Sequence, residues 1–247
     1  MLDRLKKKYP TVYTLVFGIL ACGAVTLILT TLDFYFPNLW VLFWSVAVGL
    51  VVGYLQRWFL VTFNKIKPLA IANAPAEWAD HIYQQKAKYP NAYARGFASA
   101  KIVTFTSRQL EISTPEELHG ILMHEIGHHY YNDFLVGGFV IFAIGNGMAM
   151  IANLLGATLS ATLWIASLLT PFGFILYLYY SRSKEKRADL YAMAHLGHPE
   201  HFASALTKIK QDMRQRGFTI SDTPTFASKY LATHPPIPTR VQYLTEK

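Results

Sequence analysis

The sequence predicts a mainly α membrane protein, with four transmembrane helices in two hairpins and a polar remainder split by the second hairpin. Three observations carry this reading. Of 247 residues, 52% are hydrophobic and only 15% charged, against about 25% charged in soluble domains. The uncharged residues gather in runs long enough for a bilayer, which takes about 20 residues of helix. The formal net charge of +8 sits beside those runs, where a positive-inside bias places it, and not along one face as a nucleic-acid stripe would. A lipid bilayer, and no nucleic acid, is the expected partner.

The first run, Thr11 to Leu32, follows Arg4, Lys6, Lys7 and Lys8. It exceeds the apolar core of a signal peptide and a second run follows at once, so it reads as a retained anchor. The second run extends from Leu39 to Gln56 and on to Phe63, with Arg57 snorkelling. Together they form an N-terminal transmembrane hairpin over residues 1–63, with Tyr9, Tyr13, Trp40, Trp44, Tyr54 and Trp58 near the ends as an aromatic belt. Cys22, inside the first run, is the sole cysteine, so no internal disulfide forms and the residue reads as packing.

Between Asp133 and Arg182 the chain has no charged residue. That is too long for one crossing and fits two, turning near 156–161, so residues 134–181 form a second hairpin. Residues 1–8, 57–67 and 182–187 are rich in Lys and Arg, whereas the 31–39 loop holds only Asp33 and the 156–161 turn holds no charge. The amino terminus, residues 64–133 and residues 182–247 therefore share the cytoplasmic side, and the soluble part is split into the latter two segments.

Into the first half falls TPEELHGILMHEIGHHYY, residues 114–131. Thr114 as N-cap, Pro115 at the first helical position and Glu117 as capping-box partner open a helix. On it His124 and His128, four residues apart, are about 40° from alignment, with Glu125 about 100° round from His124. This His-Glu-x-x-His pattern lets two neutral imidazoles bind zinc while the glutamate acts on water. His119 and His129, each five residues from His124, are about 140° away and fail the same geometry.

A catalytic zinc keeps three protein ligands and one open position. Glu185, three residues after Arg182 at the foot of the second hairpin, is the candidate third ligand, and Asp189, one helical turn on, could accept the other ring N–H of a ligating histidine. Taken alone, Glu185 reads as an ordinary helix face paired with Lys184, Lys186 or Arg187. The topology alters the weighting: both feet of the second hairpin emerge on one face, and antiparallel helices pack about 8–10 Å apart, which brings His128 and Glu185 within reach of one metal ion. The remaining histidines, His81, His195, His198 and His201, show no metal-binding spacing; residues 198–201 read as a turn and helix start.

HEIGHH followed by SRSKEKRADLYA, with NAYARG upstream and THPPIPTR near the end, resembles the M48 family of integral membrane zinc metalloproteases, most of all its heat-shock (HtpX) branch. The resemblance implies a zincin-like (gluzincin) catalytic domain with a small β-sheet, one zinc per chain held by His124, His128 and Glu185, and Glu125 as the catalytic base. It further implies that Asn91, Ala92, Tyr93 and Ala94, with the run 101–106, form a sheet over the cleft onto which a substrate adds as a strand, and that His234 and Arg240 stabilise the oxyanion. The run IVTFT, rich in β-branched and aromatic residues, agrees with a strand on its own terms. By the same resemblance the substrates are proteins or peptides, cleaved in membrane quality control as part of a stress response, and the location is a bacterial inner membrane with the active site cytoplasmic. The rival readings are a catalytically silent membrane scaffold, a transporter and a CaaX-type prenyl-peptide processing protease.

Overall fold

The computed structural model describes residues 39–63, 65–137, 140, 159–218, 232 and 234–245. The chain divides into two compact units, Met1–Val51 and Val52–Lys247. Of the first, the described part is helical and belongs to α1, Leu39–Thr62, which coincides with the second predicted run. The run Thr11–Leu32, most of the helix expected after Asp133 and the start of the turn at 156–161 lie outside the described residues. Among the described residues no helix is long and apolar enough to cross a membrane; half of the side chains of α1 and those of the first part of the helix from Leu159 are not among them.

In the second unit a four-stranded sheet is built from β1 (Ile66–Pro68), β2 (Ile82–Gln85), β3 (Ala92–Arg95) and β4 (Ile102–Thr106) in the order β1-β2-β4-β3. β4 is the IVTFT run, and all five of its residues are buried. It pairs parallel with β2 and antiparallel with β3, setting Ala94 opposite Val103 and Ala92 opposite Phe105. The start of β3 is pinned by Thr106, whose amide donates to Asn91 O (3.0 Å) and whose Oγ1 accepts from the Asn91 amide (2.9 Å). β3 is an edge strand, and its outer row of backbone groups pairs with no other strand among the described residues.

Among the described residues there follow α2 (Ser107–Ile112), α3 (Pro115–Tyr130), α4 (Leu159–His195), α5 (Pro199–Gln215) and α6 (Ile237–Thr245), with a short helical stretch at 133–137 after α3. The expected capping box opens α3: Thr114 Oγ1 accepts from the Glu117 amide at 3.3 Å and Glu117 Oε2 accepts from the Thr114 amide at 2.8 Å. The same carboxylate accepts from Ser204 (2.7 Å) and Lys208 (2.8 Å), so the cap also ties α3 to α5. Ile121, Leu122 and Ile126 of α3 pack in one core with Val103 and Phe105 of β4, Ala192 of α4 and Phe202 and Leu206 of α5.

Two glycines of α3 permit these contacts. A Cβ on Gly120 would lie 2.8 Å from Phe202 Cβ, and one on Gly127 would lie 3.0 Å from Ala188 Cα. α4 is a single 37-residue helix that runs without a break through the change from apolar residues to Arg182 and beyond. The end of the charge-free run and the segment carrying Glu185 are one rigid element.

Candidate active site

α3 ends at Tyr130, and Asn132, at φ 51°, turns the chain. Asn tolerates this left-handed conformation better than most residues. Gly127 lets α4 lie close enough for its polar side chains to meet those of α3. The face of α4 that looks toward α3 is buried at Ser181, Glu185, Ala188, Asp189 and Ala192, a helical stripe in which two carboxylates stand among small residues.

His124, His128 and Glu185 converge, their ligand atoms all within 4.8 Å of one another. The two Nε2 atoms are 3.2 Å apart; Glu185 Oε2 is 3.6 Å from that of His124, and Oε1 is 3.5 Å from that of His128. Donors held about 2.0–2.1 Å from a tetrahedral zinc lie about 3.3 Å from each other, so the spacing fits. The other ring nitrogens are anchored. His124 Nδ1 is 2.8 Å from Asp189 Oδ1, although the contact lies off the N–H axis, so distance and charge hold it more than a linear hydrogen bond. His128 Nδ1 is 2.8 Å from Asp133 Oδ2. With both Nδ1 atoms facing carboxylates, both Nε2 atoms are directed to one place, and two imidazoles with a carboxylate form a donor set that suits zinc.

Asp189 is fully buried and also accepts from Arg240 Nε (2.9 Å) and Nη2 (2.6 Å) and from the Tyr243 hydroxyl. Burial alone would raise its carboxyl; Arg240 and His124 outweigh it and hold it at about 2. Glu185 is likewise raised by burial but held well below the carboxylate range by His124, His128 and His234. Burial pushes the His124 imidazole down, yet Asp189 and Glu185 lift it to about 9. Without metal, His124 is therefore protonated at neutral pH, and a proton balances carboxylates that a cation would otherwise neutralise.

Glu125 is buried and lines a cleft of about 500 Å³ together with His124, His128, Asn91, Ala92, Tyr93 and Ala94. The predicted substrate strand and the histidine helix thus face one space. Arg240 and His234 line it too, with different surroundings. Arg240 is buried, its Nε and Nη2 engaged by Asp189 and its Nη1 3.8 Å from Glu185 Oε2. The His234 side chain is 63% exposed, with Nε2 3.6 Å from Glu185 Oε1.

His129 borders the cleft but is not one of the three converging ligands. It is buried, its Nε2 is 2.9 Å from Ile102 O, it stacks on Trp78, and burial lowers it to about 4. His195 and His198 contact Tyr191 O and Glu200 instead.

Two partners of the site escape sequence reasoning. Asp133 is five residues after His128, a spacing that fails on a continuous helix; the bend at Asn132 brings it back. Tyr243 had a usable signal, since it lies three residues after Arg240 on one helix and such residues share a face.

A protein named "Protease HtpX homolog" from Helicobacter pylori (strain J99) is 27% identical over 198 residues, covering 72% of this chain and 64% of that protein. One of the same name from Campylobacter concisus is 33% identical over 144 residues, 52% of this chain and 50% of that protein. The chain thus spans less than two thirds of the length of these relatives. The crystal structure of S. mikatae Ste24p shares the fold, with a TM-score of 0.57 at 22% identity over 99% of this chain and 66% of that one. Residues 64–247, about three quarters of the chain, match the model of peptidase family M48, and the chain belongs to that family.

Proposed function

We propose that the protein is a membrane-embedded, zinc-dependent endopeptidase that hydrolyses peptide bonds of misfolded or membrane proteins at the cytoplasmic face of a bacterial inner membrane. The observation that carries this reading is the convergence of His124, His128 and Glu185 beside Glu125, in a cleft bordered by an edge strand. Membrane embedding is supported by the charge-free run Phe134–Ser181 and by the exposed Phe172, Phe174, Ile175, Leu176 and Tyr179 of α4.

When bound by these ligands, zinc supplies a Lewis acid that polarises a carbonyl and makes water nucleophilic near neutral pH. The residues of the chain do the rest. β3 binds an extended substrate through main-chain hydrogen bonds, with little demand on side chains. Glu125 takes a proton from the attacking water and returns it to the leaving amine. His234, exposed above Glu185, donates a hydrogen bond to the oxyanion that develops on the substrate. Arg240 stabilises the negative charge of Asp189 and Glu185 from behind, and Asp189 orients His124.

Substitution Glu125→Gln tests the assignment. Zinc content should stay at one per chain while cleavage of an unfolded protein substrate by detergent-purified protein falls by about 10²-fold or more. Full activity in that variant removes Glu125 from the mechanism, and an inactive wild type with zinc bound favours the scaffold reading.

A further inference from the structure

Each of the two histidines carries its own carboxylate and guanidinium. His124 Nδ1 meets Asp189, which Arg240 grips from α6. His128 Nδ1 meets Asp133 Oδ2 at 2.8 Å, and Asp133 Oδ1 accepts from Arg187 Nη2, also at 2.8 Å. The Asp133 side chain is 3% exposed. Arg187 lies two residues after Glu185 on α4, with its guanidinium 5.1 Å from the centre of the Tyr131 ring. Asp133 opens the short helical stretch 133–137, whose N-terminal end favours an acid. The chain enters it through a left-handed turn at Asn132, and Arg187 reaches Asp133 from another helix.

We propose that Asp133 and Arg187 form a second positioning relay, holding His128 in the tautomer and orientation that present Nε2 to the metal. The inference rests on the zinc-site reading above. Asp133 fixes the proton on Nδ1 and makes the imidazole a better donor; Arg187 fixes Asp133 and locks the end of α3 to the helix that supplies Glu185. Neither residue touches substrate. A carboxylate in this position accounts for about 10- to 100-fold in metal affinity where such contacts have been removed elsewhere.

The alternative is a staple that holds helix ends together without acting on the ligand, and the two can be separated. Zinc affinity of the full chain in detergent is measured by competition with a chromogenic chelator, and the visible spectrum is recorded after loading with cobalt(II). Melting is followed on chelator-treated protein. Asp133→Asn should weaken zinc about 10- to 100-fold and shift the cobalt bands. Arg187→Met should weaken it less, and the double variant should be no weaker than Asp133→Asn alone, because the two act through one contact.

Lys208→Met, which removes the partner of Glu117 at the other end of α3, serves as the staple control: it should lower the melting temperature and leave zinc affinity unchanged. If Asp133→Asn lowers melting but binds zinc and cobalt as wild type does, the relay is wrong and the zinc site stands. If wild type itself binds no zinc, both fall together.

Discussion

His124 joins the chemistry of the metal-free and the metal-bound protein. Its ordinary value is 6.5, and in the folded protein Asp189 and Glu185 lift it to about 9 against burial. A histidine raised in this way stabilises the folded state fully below pH 6.5 and loses that contribution as pH rises through 9. Zinc must displace the same proton, so its affinity should climb by about tenfold per pH unit between 6.5 and 9, while chelator-treated protein melts at progressively lower temperature. Chelator competition and thermal melts across that window check both signs; a flat zinc affinity would mean that His124 is already neutral. The histidine spacing was legible because 3.6 residues per turn makes it so. Asp133 was not, because its place depends on one left-handed residue, Asn132, that a helical wheel cannot represent. The exposed His234 and the buried Arg240 also looked equivalent in the sequence, and only their surroundings separate them.

Helix α3 was readable almost to its ends, since its start is written in Thr114, Pro115 and Glu117. Thr114→Ala should cost about 1 kcal/mol of stability, measured by denaturant unfolding of detergent-purified protein. Loss of several times that amount would mean that the cap holds more than the helix start. Gly127 makes a sharper case. In an exposed helix, changing glycine to alanine gains about 1 kcal/mol. Here the new methyl would meet the backbone of Ala188 at 3.0 Å, so Gly127→Ala should instead destabilise by about 1–3 kcal/mol through overpacking. It should also weaken zinc binding, because α4 carries Glu185. A stabilised variant with unchanged zinc affinity would show that the two helices have room to separate. The continuity of α4 was not legible in the sequence. The composition changes abruptly at Arg182 and Pro171 lies inside the helix, yet neither ends it: the backbone pattern persists while the side chains change from apolar to charged.

The molecule as a whole uses an apolar insertion to bring distant residues together. Fifty-seven positions separate His128 from Glu185 in the sequence, and the intervening charge-free run allows both to return to the same place. Labelling tests the topology. In a Cys22→Ser background, a cysteine at Ser113 should react from the side on which the amino terminus lies, and one at Thr158 from the opposite side; labelling of both from one side would break the four-span arrangement. The most direct test of the central claim is the metal content of detergent-purified protein, wild type beside Glu185→Ala. About one zinc per chain in the wild type, lost or nearly lost in the variant, is the expected result. Zinc retained at full occupancy in Glu185→Ala, or none in the wild type, would contradict a metal centre assembled from the two halves of the chain.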